Sequence, residues 1–108
     1  QAYVKVCDGG VVPYTETFSP ASLLLFMSFG IPVIAPRLPS VMEYCPKEAS
    51  FFFKPNDLID LQRTMELAVK SKSKLPEFGI RARDEMKKLT WDKLAKATYE
   101  SYTQLLAT

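Results

Sequence analysis

The stretch from residue 11 to residue 35 constrains the fold of this chain more than any other. It reads VVPYTETFSPASLLLFMSFGIPVIA. Val11 and Val12 are β-branched, which favours a strand, and Pro13 ends that strand because it lacks a backbone donor. A turn with one acidic residue follows. The segment 10–13 is therefore predicted to be the first strand.

A helix and a second strand complete this stretch. Ser19-Pro20 predicts the helix start, because serine accepts from first-turn N–H groups and proline gives up a donor that has no partner there. Gly30 predicts the left-handed end of the helix. The apolar run Ile31–Ala35 then forms the second strand. A strand, a helix of about ten residues and another strand make a parallel βαβ unit.

Composition narrows the class of protein. The chain has 108 residues, 47% of them hydrophobic, and a formal charge of +2, which indicates one small domain or part of a larger one. This charge is too small to indicate nucleic-acid binding. The apolar run from Leu23 to Phe29 falls well short of the about 20 residues that span a bilayer. Cys7 and Cys45 are expected to be free thiols, and without histidine we expect no metal site.

Further elements follow the βαβ unit. The segment 1–7 is expected to be the tail of a helix, 36–39 to be irregular because of its two prolines, and Val41–Tyr44 to form one helical turn. Ala49–Phe53 is expected to be a third strand that is apolar on both faces. Asn56 or Asp57 is placed to cap the helix that follows.

Three helices are predicted in the second half. The first spans Asp57–Lys70, and the second runs from about residue 76 to residue 88 and is interrupted by Gly79. The third begins at Thr90 and is long, with Trp91 as a core anchor. The residues expected to be buried are Leu58, Leu61, Met65 and Ala68 in the first, Phe78, Ala82, Met86 and Leu89 in the second, and Leu94, Ala95, Thr98, Tyr102, Leu105 and Leu106 in the third.

The predicted strands and helices leave part of their apolar surface without cover. Three parallel strands have two open edges, and the Leu23–Met27 helix is apolar nearly all round. We therefore expect an α/β fold that is the second half of a Rossmann-like doubly wound domain, with about three parallel strands, flanking helices and a long C-terminal helix. Residues 1–108 form one partial domain, and the alternative is that the chain pairs with a second copy of itself.

An ordered set of motifs adds a resemblance. Its members are Asp8, Val11-Val12-Pro13, Glu16-x-Phe18, Gly30-x-Pro32-Val33-Ile34-Ala35, Glu43, Pro55-Asn56-Asp57, Ala82-Arg83, Trp91, Tyr102 and Leu105-Leu106. In this order they resemble the C-terminal nucleotide-sugar-binding domain of two-domain (GT-B) glycosyltransferases, in the retaining branch called family 4 or "group 1". The resemblance covers nearly the whole chain, but only the later part of that domain.

The resemblance implies a function. The parent enzyme would transfer a sugar from a nucleotide diphosphate to a hydroxyl acceptor with retention, without a cofactor, and its N-terminal domain would bind the acceptor. Glu16 would hold the donor sugar, and the backbone N–H groups of Thr17, Phe18 and Ser19 would contact the sugar and phosphates. A helix N-terminus after a parallel strand suits a diphosphate on physical grounds as well. These 108 residues alone are expected to be inactive, and the catalytic residues remain unknown.

The sequence departs from the family pattern at the position of the residue that binds the ribose. A second glutamate normally follows the first, one to two turns into the helix, but the two positions where it would fall are Leu24 and Leu25. Thr17 and Ser19 also replace glycines that let the donor approach the backbone. Either the nucleotide is held differently or the domain no longer binds it well. The alternative function is a non-catalytic glycosyltransferase-like scaffold or interaction domain.

Two other features have a functional and a structural interpretation. Glu43 stands where the family has an acid after the second strand, but it is equally suited to cap a local turn. Lysines and arginines crowd the C-terminal helices and would suit peripheral contact with an anionic membrane, although acidic residues between them favour a solvated face. The expected location is the cytoplasm, with a membrane surface as the further option.

Overall fold

The centre of the fold is a parallel sheet. The computed structural model describes residues 2–14 and 21–107. Its three strands are β1 (Gly10–Val11), β2 (Val33–Pro36) and β3 (Phe51–Phe53), in the order β1-β2-β3. Gly10 lies opposite Val33, and Ile34 lies opposite Phe51. Because both pairings are parallel, the carboxyl ends of all three strands meet at one edge.

Helices surround this sheet. Those in the described residues are α1 (Ala2–Lys5), α2 (Ala21–Ser28), α3 (Pro39–Met42), α4 (Leu58–Lys70), α5 (Leu75–Met86) and α6 (Trp91–Ala107), with 3₁₀ turns at Lys47–Ala49 and Lys72–Lys74. The expected α/β fold is confirmed as an open sheet of three parallel strands with flanking helices and a long C-terminal helix. None of the helices in the described ranges is long and apolar enough to cross a membrane.

Both faces of the sheet are packed. On one face, β1 and β2 meet α2, α3 and α5 in a buried cluster made of Val12, Leu23, Met27, Val33, Ala35, Val41, Cys45 and Ala82. On the other face, β2 and β3 meet α4 and the start of α5 in a second cluster made of Ile34, Phe51, Phe53, Ala68 and Leu75. Helix α5 therefore passes from one face of the sheet to the other, with Leu75 in the second cluster and Ala82 in the first.

Two glycines bring α2 and α5 into backbone contact. Gly30 ends α2 in the left-handed conformation, with φ +74°, as predicted. Gly79 is buried in α5, and a methyl group there would overlap the carbonyl oxygen of Gly30 and lie 3.4 Å from Cδ of Pro32. The glycine that looked like an interruption of the helix is thus the residue that lets α5 approach the end of α2. On the sheet itself, Gly10 leaves room for the Phe26 ring, which lies 2.6 Å from where a Cβ would be.

The cap predicted for α4 is present, and the last helix has a cap as well. Lys54, Pro55 and Asn56 turn the chain after β3, and Asn56 adopts φ 61°, which asparagine tolerates better than most residues. Asp57 caps α4, since its side chain accepts from the backbone N–H of Asp60 at 2.9 Å. At the last helix, the Thr90 hydroxyl accepts from the backbone N–H of Lys93 at 3.2 Å.

The strand boundaries differ from the predicted ones. The irregular segment expected at 36–39 is confirmed only at Arg37 and Leu38, because Pro36 ends β2 and Pro39 begins α3. Strand β2 tolerates Pro36 because the next residue, Arg37, donates its N–H to the Phe53 carbonyl at 2.9 Å. Since donors alternate between neighbours along a strand, the N–H that Pro36 lacks would point to the other side. Strand β1 is two residues long, although the N–H of Val12 still donates to the Ile34 carbonyl at 3.0 Å.

The buried side of α4 was partly mispredicted. Ala68 is buried as expected and Leu61 is partly buried, but Leu58 is 79% exposed and Met65 41% exposed. The helix instead turns Thr64 and Ala68 to the sheet, because small side chains let it approach closely. The Thr64 hydroxyl donates to the Asp60 carbonyl at 2.8 Å, so burying this side chain leaves no unsatisfied donor.

The C-terminal helices also depart from expectation. In α5, Ala82 is buried and Phe78 and Met86 pack against the clusters, but Leu89 follows the helix and is 53% exposed. In α6 no residue is buried, so the interpretation of Trp91 as a core anchor is wrong. The buried face predicted for α6 is wrong for the same reason, because the helix extends beyond the two clusters that would have covered it.

The contact between the two glycines can be tested by Gly79→Ala. In an isolated helix this change would stabilise by about 1 kcal/mol. Here the new methyl group meets the carbonyl of Gly30, so we expect the free energy of unfolding to fall by roughly 1–3 kcal/mol in urea denaturation. Gly9→Ala is the matched control, since its Cβ would lie 3.7 Å from the nearest atom, the carbonyl oxygen of Pro32. Equal or greater stability of Gly79→Ala would contradict the packing described.

Candidate functional site

The predicted donor site lies where β1 leads into α2. Val12 is buried, and Tyr14 packs against the first cluster at the carboxyl end of β1. Glu16, Thr17, Phe18 and Ser19 follow, together with the predicted helix start, and all of them lie outside the described residues. The assignments of these four residues stay predictions. The described flanks show that the segment joins the carboxyl edge of the sheet to the amino end of α2.

Of the two leucines at the family's ribose position, only Leu24 lines a cleft. Leu25 is 49% exposed and is not part of its lining. We call this space the α2–α6 cleft, and its volume is about 530 Å³. It is lined by Leu24, Tyr44, Lys88, Leu89, Thr90, Trp91, Lys93, Leu94 and Ala97.

The α2–α6 cleft is apolar, with a basic rim. Its two ammonium groups have partners within the chain, because Lys88 Nζ lies 2.9 Å from Glu85 Oε1 and Lys93 Nζ donates to the Lys87 carbonyl at 3.3 Å. The lining contains aromatic and aliphatic side chains but no carboxylate. Such a surface suits a flat apolar group, and among the described residues it has no carboxylate to accept hydrogen bonds from ribose hydroxyls.

A polar cluster at the carboxyl ends of β2 and β3 was not predicted. Asp60 lies at its centre and accepts from the backbone N–H of Lys54 at 2.6 Å. Arg63 forms an ion pair with the same carboxylate. The guanidinium of Arg37 lies 5.7 Å from the centre of the Phe52 ring, a cation–π contact. The sequence did hold a signal, since Arg37 and Lys54 each directly follow a strand of the parallel sheet.

Hydrogen bonding explains the acidity of this carboxylate. The N–H of Lys54 is the main cause that lowers the pKa of Asp60 below its ordinary value of 3.8, and the hydrogen bond from Arg63 adds to it. A groove of about 510 Å³ runs beside the cluster and includes Arg37, Arg63, Glu66 and Lys70. Because Asp60 is already engaged by its own chain, it has a structural role in holding the β3–α4 turn.

The cysteines and potential metal ligands complete the inventory. Cys7 is exposed and Cys45 buried, and both are free thiols as predicted. Burial raises the pKa of Cys45 to about 11, which keeps this thiol protonated and unreactive. Across residues 2–14 and 21–107, no three side chains of the kinds that bind metals come together.

Comparisons with known proteins add no relative. No family model, curated protein or solved structure matches this chain. Any proposal about function therefore depends on the sequence motifs and on the geometry of the described residues.

The Asp60 interactions predict a pH-dependent contribution to stability. A carboxylate with a lowered pKa in the folded state stabilises at neutral pH, and this contribution disappears as the pH falls below 3.8 and through the folded-state pKa. We therefore expect Asp60→Asn to lower Tm at pH 7 and the difference from the wild type to vanish in strong acid. Thermal melts over a pH series measure both quantities.

The control for this prediction is Asp84→Asn. Asp84 forms an exposed ion pair with Lys87 at 3.3 Å, and exposed pairs contribute little to stability. The structural role given to Asp60 would be contradicted if Asp60→Asn lowered Tm no more than Asp84→Asn does. A decrease in Tm that is independent of pH would contradict it as well.

Proposed function

We propose that this chain is the donor-binding part of a retaining GT-B glycosyltransferase and forms the second half of a Rossmann-like domain. The observation that carries the proposal is the order of elements at one edge of the sheet. Strand β1 ends, the Glu16 segment follows, and α2 returns to the parallel strand β2. Open α/β sheets bind ligands at the carboxyl ends of their strands, which is where this segment begins.

The open side of the sheet supports the idea of a partial domain. Strand β1 directs the N–H groups of Gly10 and Val12 to β2, so the N–H and carbonyl of Val11 between them point away from the sheet. In the part of the chain that the structure describes, no strand pairs with that edge. The adjoining flank of α4 is exposed as well, with Val69 73% exposed. Cover for this side must come from further strands and a helix, or from a second copy.

The proposed chemistry follows from charge and position. Glu16 would accept hydrogen bonds from hydroxyls of the donor sugar. The backbone N–H groups of Thr17, Phe18 and Ser19 would stabilise the negative charge that develops on the leaving diphosphate, an effect of roughly 3–4 kcal/mol per well-placed donor. The acceptor would be bound elsewhere, by the acceptor domain of the parent enzyme.

Leu24 favours a second candidate function. In the described structure this residue lines the apolar α2–α6 cleft, whose lining holds no carboxylate that would bind a ribose. A chain that has lost the ribose acid while keeping the fold suits a non-catalytic scaffold or interaction domain. The two functions differ in one measurable property, which is nucleotide binding.

Calorimetric titration with UDP, GDP and their sugars tests the donor site. We expect the protein to bind at least one of these ligands saturably at millimolar concentration, and we expect Glu16→Ala to lose this binding. Glu48→Ala is the matched control, because Glu48 lies in the 3₁₀ turn before β3 and therefore at the opposite, amino edge of the sheet. If no ligand binds at millimolar concentration, the enzyme proposal fails and the scaffold remains.

Turnover is a separate prediction. In the proposed enzyme another domain binds the acceptor, so we expect no transfer of labelled sugar to simple alcohols or glycosides when the chain is assayed alone. Hydrolysis of the donor should also stay at the rate seen without protein. Measurable transfer by the isolated chain, lost in Glu16→Ala but kept in Glu48→Ala, would show that the acceptor domain is unnecessary.

A further inference from the structure

Helix α6 has an apolar face that is largely exposed in the described structure, although its first turn lines the α2–α6 cleft. Trp91 is 85% exposed, Tyr102 64% and Leu106 88%. With 3.6 residues per turn, these three side chains, Leu94, Thr98 and Tyr99 fall within an arc of about 140°. All four charged residues of α6 lie outside this arc. They are Asp92, Lys93, Lys96 and Glu100.

A second surface that is partly open to solvent lies on the opposite side of the sheet, where Leu58 and Val69 are exposed beside the buried Ile34 of the second cluster. We call it the α4–β1 groove, and its residues are Val11, Ile34, Leu58, Leu61, Met65 and Val69. Met65 and Val69 line two adjoining cavities of about 580 and 290 Å³, so that the groove runs along α4 and over β1. Neighbouring strands are about 4.8 Å apart, so β1 and the strand position beyond its open edge together span about 10 Å. This is about the width of one helix.

The α6 helix of the same chain does not lie in this groove. The α2–α6 cleft places the start of α6 against Leu24 of α2 and Tyr44 just after α3, on the face of the sheet that holds the first cluster. Ala68 of α4 belongs to the second cluster, on the other face. The α6 helix that fits the groove must therefore come from another molecule.

Charges at the two surfaces select one orientation. Glu66 and Lys70 are four residues apart and flank the α4 stripe, and Asp92 and Lys96 are four residues apart and flank the α6 face. When the helices run antiparallel, Glu66 faces Lys96 while Lys70 faces Asp92, and both pairs lie on the same side of the helix pair. In a parallel arrangement these two flanks would lie on opposite sides of the helix pair, so neither ion pair would form.

The size and chemistry of α6 also favour a protein partner. An aromatic side chain buries roughly 150–250 Å², so two reciprocal contacts, each with three aromatic residues, approach the about 800 Å² per partner of stable complexes. Its charged residues sum to zero, whereas helices that lie on anionic membranes are rich in Lys and Arg on the polar face. Trp and Tyr are also the residues that dominate binding at protein interfaces.

We propose that two copies of this chain form a dimer in which α6 of each copy lies antiparallel in the α4–β1 groove of the other. Each copy then covers the flank of α4 and the open face of β1 in its partner, and both α6 faces are removed from water. The contact is the same in both directions, so it closes after two copies. Of the two covers named for the open side, this proposal takes the second copy in place of further strands, and it does not depend on nucleotide binding.

Mass and fluorescence measurements test the dimer. Light scattering behind size exclusion should give twice the 12.2 kDa chain mass at high concentration, with dissociation on dilution. Trp91 is the single tryptophan, so its emission should shift to the blue as the dimer forms and the indole leaves water. Emission that is independent of concentration, together with a monomer mass at millimolar protein, would overturn the proposal.

Charge reversal tests the orientation. Glu66→Lys and Lys96→Glu should each weaken the dimer by about fivefold or more, and the double variant should recover most of the loss because the pair is restored with opposite signs. Lys47→Glu, in an exposed 3₁₀ turn that lines neither surface, should have no effect. Circular dichroism checks that all four variants keep their helicity. If the loss of dimer affinity in the double variant equals the sum of the losses in the two single variants, the antiparallel register is rejected.

Membrane binding is the competing outcome. Flotation with vesicles that contain anionic lipid should leave the protein in solution if α6 is buried in a dimer. A monomeric chain that floats with the vesicles, with Trp91 emission shifted to the blue by lipid alone, would replace the dimer with a membrane contact. Met65→Asp in the groove separates the two, since it should disrupt the dimer and leave lipid binding unchanged.

Discussion

The contact between the end of α2 and the middle of α5 is the constraint on which the rest of the structure depends. Gly30 and Gly79 bring two backbones together without intervening side chains. This close approach lets α5 pass from one face of the sheet to the other and join both clusters. It also fixes the direction in which α2 leaves the sheet, and with it the position of Leu24 in the cleft beside α6.

The same packing leaves the molecule asymmetric. One face of the sheet is well covered, whereas over β1 the other face is covered only by the flank of α4. A parallel sheet is normally buried on both faces, so the open side favours association of the kind that the proposed dimer would provide. The proposed donor site and the proposed dimer contact involve different parts of the fold, since the first lies at the carboxyl edge of the sheet and the second at its open face.

The presence of three strands, the Asp57 cap and most helix positions could be predicted because each depends on local chemistry. Asp57 and Thr90 accept from nearby backbone N–H groups, and Gly30 adopts a positive φ. The rotation of α4 and the exposure of Trp91 could not be predicted, because periodicity shows that a helix has an apolar side but not which neighbour covers it. The Asp60 cluster was missed because its partners, Lys54 and Arg37, come from separate loops. The donor residues from Glu16 to Ser19 stay predictions.

The contrast between the two thiols has a practical consequence. Cys45 is buried with a raised pKa, whereas Cys7 is exposed at the end of the first helix. A thiol reagent should therefore modify Cys7 at once and reach Cys45 only when the first cluster opens. The rate of the second modification would report how often this cluster opens under native conditions, and it needs neither a denaturant nor an introduced label.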